Sequence, residues 1–220
     1  MSSFDAVIFD LDGLVLDTEA GYRTAWRRAA AESGVDLDED FFWALSGQEA
    51  GAVSQALTAV LGEDTTPERF WTRAARHWRE HLDIHGIAVR PGFYELMGWL
   101  RERRIPCALA TNSQRRYALE CLGVAGLGDT FAHLVTRDQV ERGKPAPDVY
   151  LAAAAHLGVA PARCLALEDS PTGLASARAA GMRCILVPGA PLPAEAAENA
   201  WRTFTTLLDV RDWLASLPPA

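Results

Sequence analysis

The spacing of apolar positions changes along this chain. Ala6-Val7-Ile8-Phe9 is a short unbroken run of apolar, mostly β-branched or aromatic residues, the pattern of a strand buried on both faces of a parallel sheet. From 15 to 86 the pattern is different: residues 19–33, 49–61 and 67–85 read as amphipathic helices with no convincing strand between them. It changes again at Arg90-Pro91-Gly92. A helix is predicted over 93–104, followed by a second buried strand in the run Ile105 to Ala110. Beyond that point strand patterns at 133–136, 164–167 and 184–187 alternate with helices near 114–121, 147–157 and 171–180, and a weaker strand near Phe204 closes one edge. Alternating β and α segments predict a doubly wound parallel sheet with helices on both faces, an α/β core. The helical stretch of roughly 70 residues after the first strand is too long for an ordinary connection. It predicts an inserted all-helical cap at 17–86, with the core at 1–16 and 87–220.

Composition narrows the partners. A chain of 220 residues builds one core with a modest lobe, and 49% hydrophobic with 23% charged residues argues against disorder. The net charge of −8, with no Lys/Arg-rich block, excludes a nucleic-acid groove or an anionic membrane surface as the main partner. Any phosphate site must therefore be made positive locally. The four cysteines, Cys107, Cys121, Cys164 and Cys184, show no CxxC spacing, and buried free thiols are expected rather than a zinc site. No stretch approaches the roughly 18 apolar residues of a membrane span, and acidic Asp5 stands where a signal peptide carries positive charge. The expectation is a cytoplasmic protein, monomeric by default.

Candidate chemistry gathers at the predicted strand ends. Asp10 closes the first strand, Asp12 lies two residues on, and Gly13 permits a turn that lets both acids face one small volume. Capping, metal binding and catalysis all fit such a pair taken alone. Two acids in one pocket repel each other unless a cation neutralises them, and oxygen ligands at a phosphate site suit magnesium. If the later strands run parallel to the first, three more groups reach the same edge. Thr111-Asn112-Ser113 supplies donors for phosphate oxygens, with Thr111 the preferred contact. Lys144, in a loop stiffened by Pro145 and Pro147, supplies the local cation. Glu168-Asp169 supplies further acids, with Asp169 the expected magnesium ligand. Carboxylates around a metal, one lysine and one hydroxyl donor are the equipment of phosphoryl transfer.

These four groups, in this order, resemble the haloacid dehalogenase superfamily of hydrolases, and the resemblance covers nearly the whole chain. Asp10-Leu11-Asp12-Gly13 with Asp17-Thr18 is similar to its first motif, Thr111 to its second, Lys144 to its third and Glu168-Asp169 to its fourth. An insertion straight after the first motif resembles the helical-cap branch of phosphoglycolate phosphatases, sugar phosphatases and β-phosphoglucomutase. The resemblance implies that Asp10 is the nucleophile and forms an aspartyl-phosphate. It implies that Asp12 protonates the leaving oxygen and then deprotonates water. Magnesium would be held by the carboxylates of Asp10 and Asp169 and the Asp12 carbonyl, with Glu168 ligating directly or bracing its waters.

Within that branch the cap decides the substrate, a small phosphate ester. A mutase is expected to show a histidine where this chain has Tyr22, and an arginine after the loop glycine where Gly47-Gln48-Glu49-Ala50 has none. A simple phosphatase is favoured over β-phosphoglucomutase. Asp12 disfavours the dehalogenase and phosphonatase branches, and the intact acids and lysine disfavour a non-catalytic binding protein. Tyr22, Gln48 and Glu49 are the expected substrate contacts from the cap, Asn112 and Ser113 those from the core. Hydrogen-bonding residues without fixed positive charge suit a sugar or polyol phosphate better than phosphoglycolate, provided Arg23 and Arg76 do not supply that charge. Asp17 and Thr18 are read as hinge residues, with a second hinge near 87–92 for lid closure. His77, His81 and His85 share a helix face, but solvent-facing or ring-stacked side chains are expected there, not a metal site. Trp26, Trp43, Trp71 and Trp78 are read as the small lobe's core.

Overall fold

The computed structural model describes residues 4–45, 50–61, 65–189, 192 and 197–217. Its backbone divides into two compact units, Met1–Asp17 with Ala88–Ala220, and Thr18–Ile87.

The first unit is built on β1 (Ala6–Phe9), with β2 (Leu16–Asp17) and β3 (Ala88–Val89) as a small separate ribbon. After α5 (Phe93–Glu102) the strands β4 (Cys107–Ala110), β5 (Leu134–Val135), β6 (Cys164–Glu168), β7 (Arg183–Leu186) and β8 (Arg202–Thr203) alternate with helices. Those helices are α6 (Arg115–Val124), α7 (Asp148–Leu157), α8 (Pro171–Ala179) and α9 (Leu207–Ser216). The six-stranded sheet runs β5-β4-β1-β6-β7-β8, and every pairing in it is parallel. All four residues of β1 are buried, for a reason its alternation shows. Ala6 and Ile8 join Val149, Tyr150 and Ala153 of α7 and Ala177 of α8 in one layer. Phe9 packs on α5, its ring 6.0 Å from that of Phe93. A strand covered on both faces must be apolar throughout. The predicted strand near Phe204 is β8, parallel to β7 at the sheet edge. The ribbon pairs Leu16 with Val89 and Asp17 with Ala88, antiparallel, where the chain leaves and re-enters this unit. Two residues per strand are too few for a period-2 signal, so the sequence reading missed it.

The second unit is helical: α1 (Glu19–Ala31), α2 (Glu39–Leu45), α3 (Ala50–Leu61) and α4 (Pro67–His85). Helix α2 is an addition to the expected set, because its contiguous apolar run Phe41 to Leu45 carries no helical period. Ala29, Ala30, Leu37, Phe42, Leu57, Phe70 and Ala74 form its core, with Trp26 packed against them. His77 differs from expectation. It is buried, with Nε2 2.7 Å from a Glu32 oxygen of α1's C-cap and Nδ1 3.0 Å from Glu80. The hydrogen bond from His77 holds the Glu32 carboxyl below its ordinary range, with Arg76 and Arg73 adding to the effect. The other two histidines pack ring to ring, His81 against His85 at 4.7 Å. All four cysteines are free, three of them fully buried. No helix among the described residues is long and apolar enough to cross a membrane.

Candidate active site

Strand register brings the acids together. Phe9 pairs with Leu109 on one side and Leu167 on the other, so Asp10 stands level with Glu168 at the carboxyl ends of β1 and β6. The Asp10 amide donates to the Leu167 carbonyl at 3.0 Å, and the Thr111 amide to the Val135 carbonyl at 3.0 Å. Ligands of open α/β sheets bind at this edge. Gly13, at φ +82°, reverses the chain there, and a Cβ on it would lie 2.0 Å from Asp169 Oδ2. Only glycine permits both the backbone conformation and the approach. Helix α8 closes on the site in a similar way, since a Cβ on Gly173 would lie 1.8 Å from Glu168 Oε1.

Lys144 is the hub. Its Nζ lies 2.5 Å from Asp10 Oδ1 and 2.5 Å from Glu168 Oε1. Its main chain is clamped by the Asn112 side chain, which donates to the Lys144 carbonyl at 3.1 Å and accepts from the Lys144 amide at 2.7 Å. Glu168 is fully buried and takes four hydrogen bonds. Lys144 and the Tyr150 hydroxyl, at 2.7 Å, reach Oε1, while the Asp169 amide and the Ser170 hydroxyl reach Oε2 at 3.2 Å. A carboxylate offers about four lone-pair sites, so these donors use its capacity.

The electrostatics are those of a site crowded with negative charge. Burial pushes the Asp10 carboxyl up to about 8, against the pull of Lys144 and with repulsion from Glu168 and Asp12. Burial works against the Lys144 ammonium, yet Asp10 and Glu168 hold its pKa above the ordinary lysine value. Burial, with the nearby Glu168 and Asp10, keeps the Tyr150 hydroxyl protonated and able to donate. Asp10, Glu168 and Asp169 offer oxygens that all lie within 4.8 Å of one another, a grouping that can hold a metal ion. Four carboxylates, counting Asp12, face one ammonium. The excess negative charge and the oxygen-only donors fit a hard divalent cation.

Asp12 is held by hydroxyls. Its Oδ2 accepts from Ser113 at 2.7 Å and from Thr111 at 3.4 Å, and its Oδ1 accepts from Tyr117 at 3.0 Å. Thr111 Oγ1 in turn accepts from the Ser113 amide at 2.9 Å. Asn112 and Ser113, expected at phosphate, are thus engaged with Lys144 and Asp12. Neither Tyr117 nor Tyr150 was singled out from sequence. Tyr117 stands in the first turn of the helix that follows β4.

In the helical unit, Tyr22 stacks on Trp78 at 4.3 Å with the rings 4° from parallel. Gln48 and Glu49 lie outside the described residues. A cavity of about 250 Å³ is lined by Glu19, Tyr22, Arg23, Trp26, Phe42 and Leu45, with Val53. Arg23 reaches Glu19 at 3.6 Å and Glu39 at 3.4 Å, with its guanidinium 5.9 Å from the Phe42 ring centre. Arg76 pairs with Glu32 and, at 3.7 Å, with Glu80.

Comparison with known proteins agrees with this geometry. A family model described as haloacid dehalogenase-like hydrolase matches residues 4–181. The fructose-1-phosphate phosphatase YqaB of Escherichia coli (strain K12) is 32% identical over 182 residues, covering 83% of this chain and 95% of that protein. A phosphorylated carbohydrates phosphatase of Thermotoga maritima is 34% identical over 181 residues, covering 82% of this chain and 83% of that one. A crystal structure of a HAD family hydrolase from Deinococcus radiodurans R1, with bound phosphate and sodium, superposes with a TM-score of 0.81 at 34% identity, over 100% of both chains.

Proposed function

The chain belongs to the haloacid dehalogenase-like hydrolase family and is a phosphate monoester hydrolase, and on that premise we propose that it uses magnesium and an aspartyl-phosphate on Asp10 to hydrolyse a sugar or polyol phosphate in the cytoplasm. The observation that carries the mechanism is Lys144, buried between Asp10 and Glu168 at 2.5 Å from each. Its ammonium pulls against burial on the Asp10 carboxyl, favouring the ionised form that attacks, and screens it from the approaching phosphate. An Asp10 oxygen attacks phosphorus, the bond to the leaving oxygen breaks, and the Asp12 proton passes to that oxygen. Asp12 then takes a proton from water, the water oxygen attacks phosphorus, and the Asp10 carboxylate returns with release of phosphate. Thr111, whose hydroxyl makes the longest of the three contacts to Asp12 at 3.4 Å, turns that hydroxyl to the phosphate oxygens when substrate binds.

Asp10, Asp169 and the Asp12 carbonyl would hold the metal, which supplies charge neutralisation at the phosphoryl oxygens when bound. Glu168 braces Lys144 and the Asp169 amide, because its lone pairs are already engaged. Taken by itself, the helical unit has a cavity that suits an uncharged group. Its Arg23 is matched by Glu19 and Glu39, and Arg76 elsewhere in that unit by Glu32 and Glu80. An aromatic wall beside balanced polar groups suits the apolar face and hydroxyls of a polyol. Arginines matched by carboxylates have less charge to offer a second anion.

The test is phosphate release over a panel of sugar, polyol and carboxylated phosphates, with magnesium or with EDTA. Sugar or polyol esters are expected to rank first, with turnover lost in EDTA and in Asp10→Asn. Phosphoglycolate in first place would refute the reading of the cavity. Isomerisation of β-glucose 1-phosphate at a rate above its hydrolysis would make the protein a mutase.

A further inference from the structure

We propose that Tyr117 is a positioning residue for the Asp12 carboxyl, fixing the orientation from which Asp12 serves the leaving oxygen. The inference rests on Asp12 being the proton carrier, as proposed above. A carboxylate held at one oxygen alone can still swing about the bond that joins it to Cβ. Contacts on both oxygens remove that freedom. Ser113 and Thr111 hold Oδ2 of Asp12, and Tyr117 holds Oδ1 from the first turn of α6 at 3.0 Å. All three donors come from one short stretch after β4, so the strand end that carries Thr111 also sets the aim of Asp12.

The type of donor matters as much as its place. In the reaction proposed above Asp12 alternates between carboxylic acid and carboxylate. A hydroxyl can donate to an oxygen of either form, so one contact persists through the cycle while the acid's proton stays available to the leaving oxygen. An ammonium or guanidinium has no acceptor and would favour the charged form alone. Tyr117 is half-buried and carried by a helix. Rigid support of a reacting group within a narrow angular range is what preserves its share of the rate.

Tyr117→Phe removes one oxygen and keeps the ring. The test compares two esters by kcat/KM, which reports the steps through release of the leaving group. β-Glycerophosphate expels an alkoxide and needs the Asp12 proton, whereas p-nitrophenyl phosphate expels a stable phenolate and does not. General-acid catalysis supplies about 10²–10⁴-fold, and misaiming it is expected to cost about tenfold on β-glycerophosphate and under about twofold on p-nitrophenyl phosphate. Equal losses on the two esters, as a packing defect would give, or no loss on β-glycerophosphate, would overturn the proposal. Asp12→Asn is run in parallel to separate the two readings. If it too slows both esters equally, the assignment of Asp12 has failed and Tyr117 falls with it. If Asp12→Asn discriminates between the esters and Tyr117→Phe does not, only the role of Tyr117 is lost.

Discussion

Replacing Lys144 with methionine isolates the charge arrangement of the site. Methionine keeps an unbranched side chain of similar length and removes the ammonium that Asp10 and Glu168 share at 2.5 Å each. Glu168 retains its bonds from Tyr150, the Asp169 amide and Ser170. Asp10 loses its cation while it remains buried. Breaking a buried ion pair by removing one partner costs about 3–5 kcal/mol. At roughly 2–4 °C per kcal/mol for a chain of this size, the melting point in EDTA should fall by about 6–20 °C. That fall is the one expected above about pH 8, where Asp10 is ionised, and it should shrink at lower pH, where the carboxyl, pushed up to about 8, takes a proton and leaves no unpaired charge.

Magnesium gives the same variant a second and opposite signature. Four carboxylates with no ammonium attract a cation more strongly than four with one, so added magnesium should raise the melting point further in Lys144→Met than in the parent. Turnover should meanwhile fall by at least about a hundredfold, since the charge aimed at the phosphoryl oxygens is gone. Differential scanning fluorimetry across a magnesium titration, with p-nitrophenyl phosphate hydrolysis alongside, reads both effects. A melting point in EDTA within about 2 °C of the parent would refute the buried pair as a stabilising element. Weaker stabilisation by magnesium would refute the competition between lysine and metal.

Asp10 should also set the pH dependence of the metal-free protein. Its native pKa of about 8 lies above the ordinary 3.8, so the stability it contributes is fully present below about pH 4 and drains away as pH rises toward 8. Asp10→Asn should flatten that decline in melts recorded in EDTA between pH 4 and 8, and parallel curves for parent and variant would contradict it. Gly13→Ala should act on the metal site through Asp169. Its φ of +82° costs a side chain about 1–2 kcal/mol, and the new Cβ at 2.0 Å from Asp169 Oδ2 must displace that carboxylate. The magnesium concentration for half-maximal activity should rise about tenfold, a shift of one power of ten in apparent affinity, and an unchanged requirement would show that Asp169 is not a ligand.

The core site was legible because its residues are indexed by strand ends. An apolar run such as Ala6 to Phe9 states where it stops, and Asp10, Thr111 and Glu168 follow such stops directly. The parallel topology then forces them to one edge. Lys144 is further from its strand, but two prolines and one lysine before a helix mark the loop. Tyr117 was not legible, because reaching Asp12 depends on the angle at which α6 leaves its turn, and no periodicity encodes that angle. The four bonds on Glu168 were equally hidden, since two come from its own turn and two from residues 24 and 18 positions away.

Specificity resists sequence reading for a different reason. The chain shows Arg23 and Arg76 as positive charges, and a count of charges in the inserted segment leaves both available to an anionic substrate. Folding cancels them through partners that the sequence does not mark, Glu39 at a separation of 16 residues and Glu32 at 44. The same pairing gathers His77 between Glu32 and Glu80 and ties α1 to α4, so contacts that build the helical unit also occupy Arg76. The core does the reverse, leaving four acids to one lysine at the strand ends. Surplus negative charge at the strand ends fits a metal, while the arginine that lines the cavity of the helical unit is matched by carboxylates. The candidate chemistry therefore sits on residues whose position the strand pattern states, whereas the charge available in the helical unit is decided only by the folded pairing.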